Sequence, residues 1–264
     1  MRRYALRDDQ WERIKDILPG KEGDVGASGK DNRLFVEAVL YRYRAGIPWR
    51  DLPERFGDFR VIHTRHTRWS QKDVWKKVFE LLAQDADNEY SMIDSTIVRA
   101  HQHSAGAKKK SVDDQAIGRS KGGLSTKIHA TVDALGNPTA FYLTPGQSHD
   151  LQGSDALMET LTKADTVIAD KAYDAKARMR NKIKDKNCTP VIPSKKNRKF
   201  PVEYDVELYK YRHLIENFFA KLKQSRGIAT RYDKLAQNFL GAIYLASSVI
   251  LLNCRSQDLI LQTP

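Results

Sequence analysis

The chain reads as an all-α, helix-turn-helix-like module over residues 1–86, followed by an α/β region over 87–264 with a mixed sheet flanked by helices. Three observations predict this. Apolar residues recur at helical spacing through the first part, with Pro-Gly and Gly stops between them. From about residue 90 the pattern changes to short β-branched runs. Those runs then alternate with helical segments, the order that builds a sheet covered by helices.

In the first part, ALRDDQWERIKDIL (5–18) sets Leu6, Trp11, Ile14, Ile17 and Leu18 at roughly helical spacing and stops at Pro19-Gly20. After a polar loop, RLFVEAVLYRYRAG (33–46) is a helix closed by Gly46, and PWRDLPERFG (48–57) is a short element with its own Gly stop. Asp58 can cap the next helix, which runs from Phe59 to Leu82 with a break near Ser70. Helix, turn, short helix, turn and basic helix is helix-turn-helix order. On the last helix Arg60, His63, Thr64, Arg65, Thr67 and Arg68 are placed to face a DNA groove, and Val61, Ile62 and Trp69 to pack inward. A plain bundle with a solvated basic face is the alternative.

In the second part YSMIDSTIV (90–98) is a strand containing Asp94, and the basic stretch from Arg99 to Gly123 reads as a loop. Residues 125–146 form a hairpin turning at Asp133, Gly136, Asn137 and Pro138. A helix beginning near His149-Asp150, an apolar strand TVIAD (166–170), a basic helix and a strand TPVIP follow, and SKKNRK (194–199) reads as an exposed loop. Asp174 reads as the N-cap of the basic helix.

Lys and Arg number 45 against 33 Asp and Glu, a formal charge of +12 that favours a polyanionic partner, nucleic acid first. The longest apolar stretch, 239–252, reads as a core helix shorter than the about 18 to 20 residues that span a bilayer, so no membrane is expected. The start lacks an apolar signal-peptide core and there are two Cys, which points to the cytoplasm. His101, His103, His129 and His149 lack paired zinc spacing. No Gly-rich phosphate loop is present, so no nucleotide cofactor is expected.

The most informative segment is YKYRHLIENFFAKLK (209–223). Tyr209, Arg212, Glu216 and Lys223 have offsets of three, seven and fourteen, which puts them within roughly 60° on one helix face. Leu208, Tyr211, Leu214, Ile215, Phe218, Phe219 and Leu222 form a separate apolar stripe. A carboxylate flanked by cations suits a metal-bound phosphate. Asp170 ends an apolar strand, where open α/β sheets place reactive side chains, and Asp94 lies in the strand that opens the same region. Three acids from two strands and one helix can converge on a pair of Mg²⁺ ions and serve an in-line phosphoryl transfer.

With MIDSTIVRAH around Asp94, IADKAYD at Asp170 and the Tyr-x2-Arg-x3-Glu-x6-Lys pattern filled without a gap, the chain resembles bacterial insertion-sequence transposases of the Asp-Asp-Glu class, and within them insertion-sequence family five. The resemblance extends to the N-terminal PWRDLPERFG module. It implies a ribonuclease H-like fold with its first Asp on the first strand, its second after the fourth and its Glu on a later helix. It also implies that Asp94, Asp170 and Glu216 are catalytic metal ligands for two Mg²⁺ or Mn²⁺ ions, and that Tyr209, Arg212 and Lys223 hold DNA near the cleaved phosphate. The substrates it implies are double-stranded transposon ends and target DNA, engaged by a homodimer at the synaptic stage. A catalytically silent DNA-binding regulator or relic, and a host nuclease of the same fold, are the competing readings.

Overall fold

In the computed structural model, residues 4–21, 23–24, 31–105, 115–161 and 164–260 are described. Much of the basic stretch after residue 105 and part of the 21–32 loop fall outside them. The helices in chain order are α1 (Asp8–Ile14), α2 (Asn32–Ala45), α3 (Phe59–Gln71), α4 (Val74–Leu82), α5 (Asp150–Thr160), α6 (Asn181–Asp185), α7 (Val206–Tyr209), α8 (His213–Lys223), α9 (Arg226–Ala229) and α10 (Ala236–Ile260). The strands are β1 (Tyr90–Ala100), β2 (Gly123–Val132), β3 (Pro138–Pro145), β4 (Thr166–Ala169) and β5 (Thr189–Val191), with a short edge segment Gly118–Ser120 beside β2.

The chain divides into two compact units. One comprises Met1–Gln84, Gln102–Ala107 and Leu222–Pro264, the other Asp85–His101 and Lys108–Lys221. In this division the segment from Leu222 onward groups with the N-terminal helices.

In the helical unit, Asp31 caps α2 by accepting from the Leu34 amide at 2.8 Å, and Gly46 ends it at φ +70°, where a side chain would be strained. The expected break near Ser70 falls instead at Lys72-Asp73, with Asp73 left-handed at φ +53°. Phe35, Trp69 and Trp75 form an aromatic core, with Phe35 and Trp69 centroids 4.9 Å apart and Trp69 and Trp75 5.0 Å apart. Helix α10 packs on α3 and α4. It is longer than the sequence suggested: an 18-residue window, Ala236–Asn253, is apolar and long enough to cross a membrane, but 72% of it is buried within the protein, as in a core helix.

One expectation for α3 is corrected: Val61 is 64% exposed and does not pack inward. Arg65 is half-buried, its guanidinium 4.3 Å from the Phe35 ring centroid and bonded to Asn32. Arg60 and Arg68 are exposed.

Buried between these helices, the His66 imidazole takes the Trp75 indole N–H on Nδ1 at 3.2 Å and faces the Tyr43 hydroxyl through Nε2 at 3.1 Å. Burial pushes its pKa down to about 4. The native state then takes up this proton later than the unfolded chain does. Stability is complete above about pH 6.5 and falls as the pH drops from there toward 4, by about 1.4 kcal/mol for each unit of separation. Urea unfolding at stepped pH should show that decline, and His66→Gln should remove its share of the slope.

In the other unit the sheet order is β3-β2-β1-β4-β5. β1, β2 and β3 are antiparallel neighbours, while β4 and β5 run parallel to β1. This is a mixed sheet flanked by helices. Asp133 makes the hairpin turn, accepting from the Leu135 and Asn137 amides at 3.0 and 2.7 Å. Ile93, Leu151, Leu157, Met158, Val167 and Ile183 belong to one buried cluster joining the sheet to α5 and α6. Helix α5 approaches closely because residue 153 is Gly: a Cβ there would stand 2.2 Å from the His129 ring. Ile215, Phe218 and Phe219 of α8 are buried as the apolar stripe predicts. Tyr211 departs from the stripe, being 48% exposed, with its ring 6.1 Å from that of Tyr90.

Candidate active site

Strand register brings the two aspartates together. Ile93 of β1 pairs with Ala169 of the parallel β4, so the next residues, Asp94 and Asp170, stand at matching positions of neighbouring strands. Parallel neighbours lie about 4.8 Å apart and matched residues share a face. Asp170 keeps an extended backbone, φ −76° and ψ 170°, and accepts from the Ala172 amide at 2.5 Å, capping the turn Lys171–Tyr173. β4 thus ends one residue before the reading TVIAD, and the aspartate sits at its exit.

Asp94 is held at both oxygens. The Ser95 amide donates to Oδ1 at 2.7 Å and Arg212 Nη1 to Oδ2 at 2.7 Å. Burial raises its pKa to about 6, against the Ser95 amide and the Arg212 charge, and the charges of Asp170 and Asp150 add to the rise. The other end of the Arg212 guanidinium bonds Glu216 Oε1. One planar fork therefore links the strand aspartate to the helix glutamate. Burial works against the Arg212 charge, but Asp94 and Glu216 raise its pKa overall.

The signature residues do not share one unbroken α-helix. Lys210–Arg212 forms a 3₁₀ turn between α7 and α8, and Arg212, its last residue, bonds Asp94. Tyr209 is partly buried. Its phenol pKa is raised, by burial first, with Arg212 opposing and Asp170 reinforcing the rise. Lys223 ends α8, and burial lowers the pKa of its amine.

Asp174 is not the helix cap that its position suggested. Its buried carboxylate accepts from Arg180 Nε at 2.8 Å and the Lys195 amide at 2.9 Å, and it pairs with Arg198. Burial opposes ionisation, but these donors hold its pKa down to about 2. The 194–199 loop is thus pinned at its base. His149 caps α5 as expected, its Nδ1 accepting from the Leu151 amide at 3.3 Å. A network of Lys127, Asp150 and Ser95 beneath Asp94 had no sequence signal beyond the helix start at His149-Asp150.

The carboxylate oxygens of Asp94, Asp170 and Glu216 are the hard donors that Mg²⁺ and Mn²⁺ take. Among the described residues, no three His, Cys, Asp or Glu side chains stand close enough together to hold an ion as they are. The donor chemistry fits a divalent cation; Arg212 is the positive charge presently shared by Asp94 and Glu216.

Two family models match the chain. One, described as "Putative transposase of IS4/5 family", covers residues 6–79, and the other, "Transposase DDE domain", covers residues 87–251. The chain belongs to the DDE transposases. It is 39% identical over 130 residues to a Brucella ovis protein described as "Putative transposase for insertion sequence element IS6501", an overlap of 48% of this chain and 98% of that one. It is 53% identical over 107 residues to an uncharacterized protein of Sinorhizobium fredii, covering 40% of this chain and 84% of that one. A crystal structure of a pre-cleavage Mos1 transpososome overlaps 92% of this chain and 85% of its own at 10% identity, with a TM-score of 0.29. As a DDE transposase the protein is an enzyme that cuts DNA and transfers strands, and enzymes of this domain use divalent metal ions.

Proposed function

We propose that Asp94, Asp170 and Glu216 are the catalytic metal ligands of this transposase and hold two Mg²⁺ or Mn²⁺ ions. The observation that carries the proposal is the pairing of Ile93 with Ala169, which sets the two aspartates side by side, with Arg212 reaching from Asp94 to Glu216. The bound ions supply electrostatic stabilisation of the attacking and leaving oxygens at the scissile phosphate. Asp94 and Asp170 offer fixed anionic oxygens from the rigid sheet. Glu216, more exposed, adds a third from the helix. Arg212 and Tyr209 hold the non-reacting phosphate oxygens, and Lys223 contributes a further cation to the DNA.

The substrates in this reading are the inverted-repeat ends of an insertion sequence and a double-stranded target. Residues 1–86 serve as the DNA-binding domain, with Arg60, Arg65 and Arg68 among its contacts, and residues 87–264 as the catalytic domain. Two copies bring two ends together as a homodimer, in the bacterial cytoplasm at the nucleoid. No nucleotide cofactor and no membrane takes part.

Chelation tests the reading. EDTA should abolish cleavage of the element's own end DNA, and Mg²⁺ or Mn²⁺ should restore it, while duplex binding persists throughout. Cleavage that continues without divalent metal would overturn it. Because several Lys and Arg displace condensed counterions, log affinity for duplex DNA should fall linearly with log salt, with a slope of about −0.9 per phosphate contacted. A flat response in fluorescence-anisotropy titrations would contradict the assigned DNA contacts.

A further inference from the structure

We propose that Asp150 is a positioning residue for the first catalytic carboxylate: held by Lys127, it fixes Ser95, and the Ser95 amide in turn fixes Asp94. The proposal rests on the reading of Asp94 as a metal ligand.

Asp94 and Ser95 are consecutive on β1, so their side chains leave the sheet on opposite faces. Ser95 lies directly across from His129 of β2, on the face covered by α5. There its hydroxyl donates to Asp150 Oδ1 at 2.6 Å. The same oxygen accepts from Lys127 Nζ at 2.8 Å, and Lys127 also donates to the Ser148 carbonyl at 2.7 Å. On the other face the Ser95 backbone amide donates to Asp94 Oδ1 at 2.7 Å. A continuous set of hydrogen bonds therefore runs from a buried ammonium, through a carboxylate and a serine, to the metal-facing aspartate.

Packing alone does not call for these groups. Helix α5 already reaches the sheet through Leu151, Leu157 and Met158, and Gly153 brings it close over His129. Lys127 is 7% exposed, and burying an ammonium costs free energy that only its two acceptors offset. The Tyr173 side chain is buried in the same core, near Ser95, Asp94 and Asp150. Polar groups placed under an apolar helix at this cost are accounted for by what they hold. Asp94 has its Oδ1 set by the Ser95 amide and its Oδ2 by Arg212, so its orientation depends on where Ser95 is held. Groups that orient a metal ligand change metal affinity about 10- to 100-fold when removed.

The test uses the full chain and reads Mn²⁺ binding from the free-ion electron paramagnetic resonance signal, with the unfolding midpoint and duplex binding recorded beside it. Asp150→Asn and Ser95→Ala should each weaken Mn²⁺ binding about tenfold or more, while Ser95→Thr, which keeps the hydroxyl, stays near wild type. Duplex binding should be unchanged in all three. Wild-type Mn²⁺ affinity in Asp150→Asn and Ser95→Ala, with Asp94→Asn impaired, would overturn the positioning role and leave the metal reading standing. Wild-type affinity in Asp94→Asn as well would overturn the metal reading itself. Should Asp150→Asn fail to fold, Ser95→Ala decides the matter, since it leaves the Lys127–Asp150 pair in place.

Discussion

Asp94→Asn, Asp170→Asn and Glu216→Gln should each lower the rate of end cleavage about a thousandfold or more, about 4 kcal/mol of lost transition-state stabilisation. The amides keep shape and volume but lose the negative charge that draws a divalent cation. The two aspartates occupy matched positions on parallel strands, so neither can move to cover for the other. Glu216 is more exposed, with 53% of its side chain accessible, yet it shares Arg212 with Asp94. Its loss removes the helix contribution outright. Binding of end duplex should persist in all three variants, because the basic residues proposed to contact phosphate are intact. Cleavage assays paired with mobility shifts on the same DNA separate the two effects; a variant that cleaves at the wild-type rate would remove that residue from the site.

Asp174→Ala should destabilise the catalytic unit by about 3–5 kcal/mol, the usual consequence of deleting one partner of a buried ion pair. Arg180 is nearly fully buried, and with Asp174 gone its charge would keep only the Ile192 carbonyl, which Nη2 reaches at 2.5 Å. The Lys195 amide and Arg198 would lose their acceptor too, freeing the basic loop at 194–199. The effect on activity should follow the unfolded fraction. Denaturant unfolding of the variant, with cleavage measured well below the midpoint, distinguishes this from a direct part in catalysis. Unaltered stability would contradict the account of Asp174 as a buried anchor.

The pairing of Asp94 with Asp170 was legible because each lies in or just after a short apolar run of β-branched residues, and sheet topology then brings strand ends together. Arg212 and Glu216 were legible from spacing, since four residues make one helical turn. The turn between α7 and α8 was not, because a 3₁₀ step at Lys210–Arg212 leaves no compositional mark. Asp174 misled because an Asp before a helix is commonly a cap, whereas its partners Arg180 and Arg198 lie 6 and 24 residues away. Periodicity assigned Tyr211 and Val61 to buried stripes, yet it cannot say where a neighbouring element stops. Nor could it assign α10 to the N-terminal helices, since an apolar helix carries no record of which surface will cover it.

A change of metal preference tests the central claim most directly. Asp170→Cys replaces a hard oxygen donor with a soft thiolate, which disfavours Mg²⁺ far more than Mn²⁺. If Asp170 ligates the ion at which DNA is cut, the ratio of Mn²⁺-supported to Mg²⁺-supported end cleavage should rise at least about tenfold above the wild-type ratio. An unchanged ratio, with cleavage lost or retained equally in both metals, would contradict it.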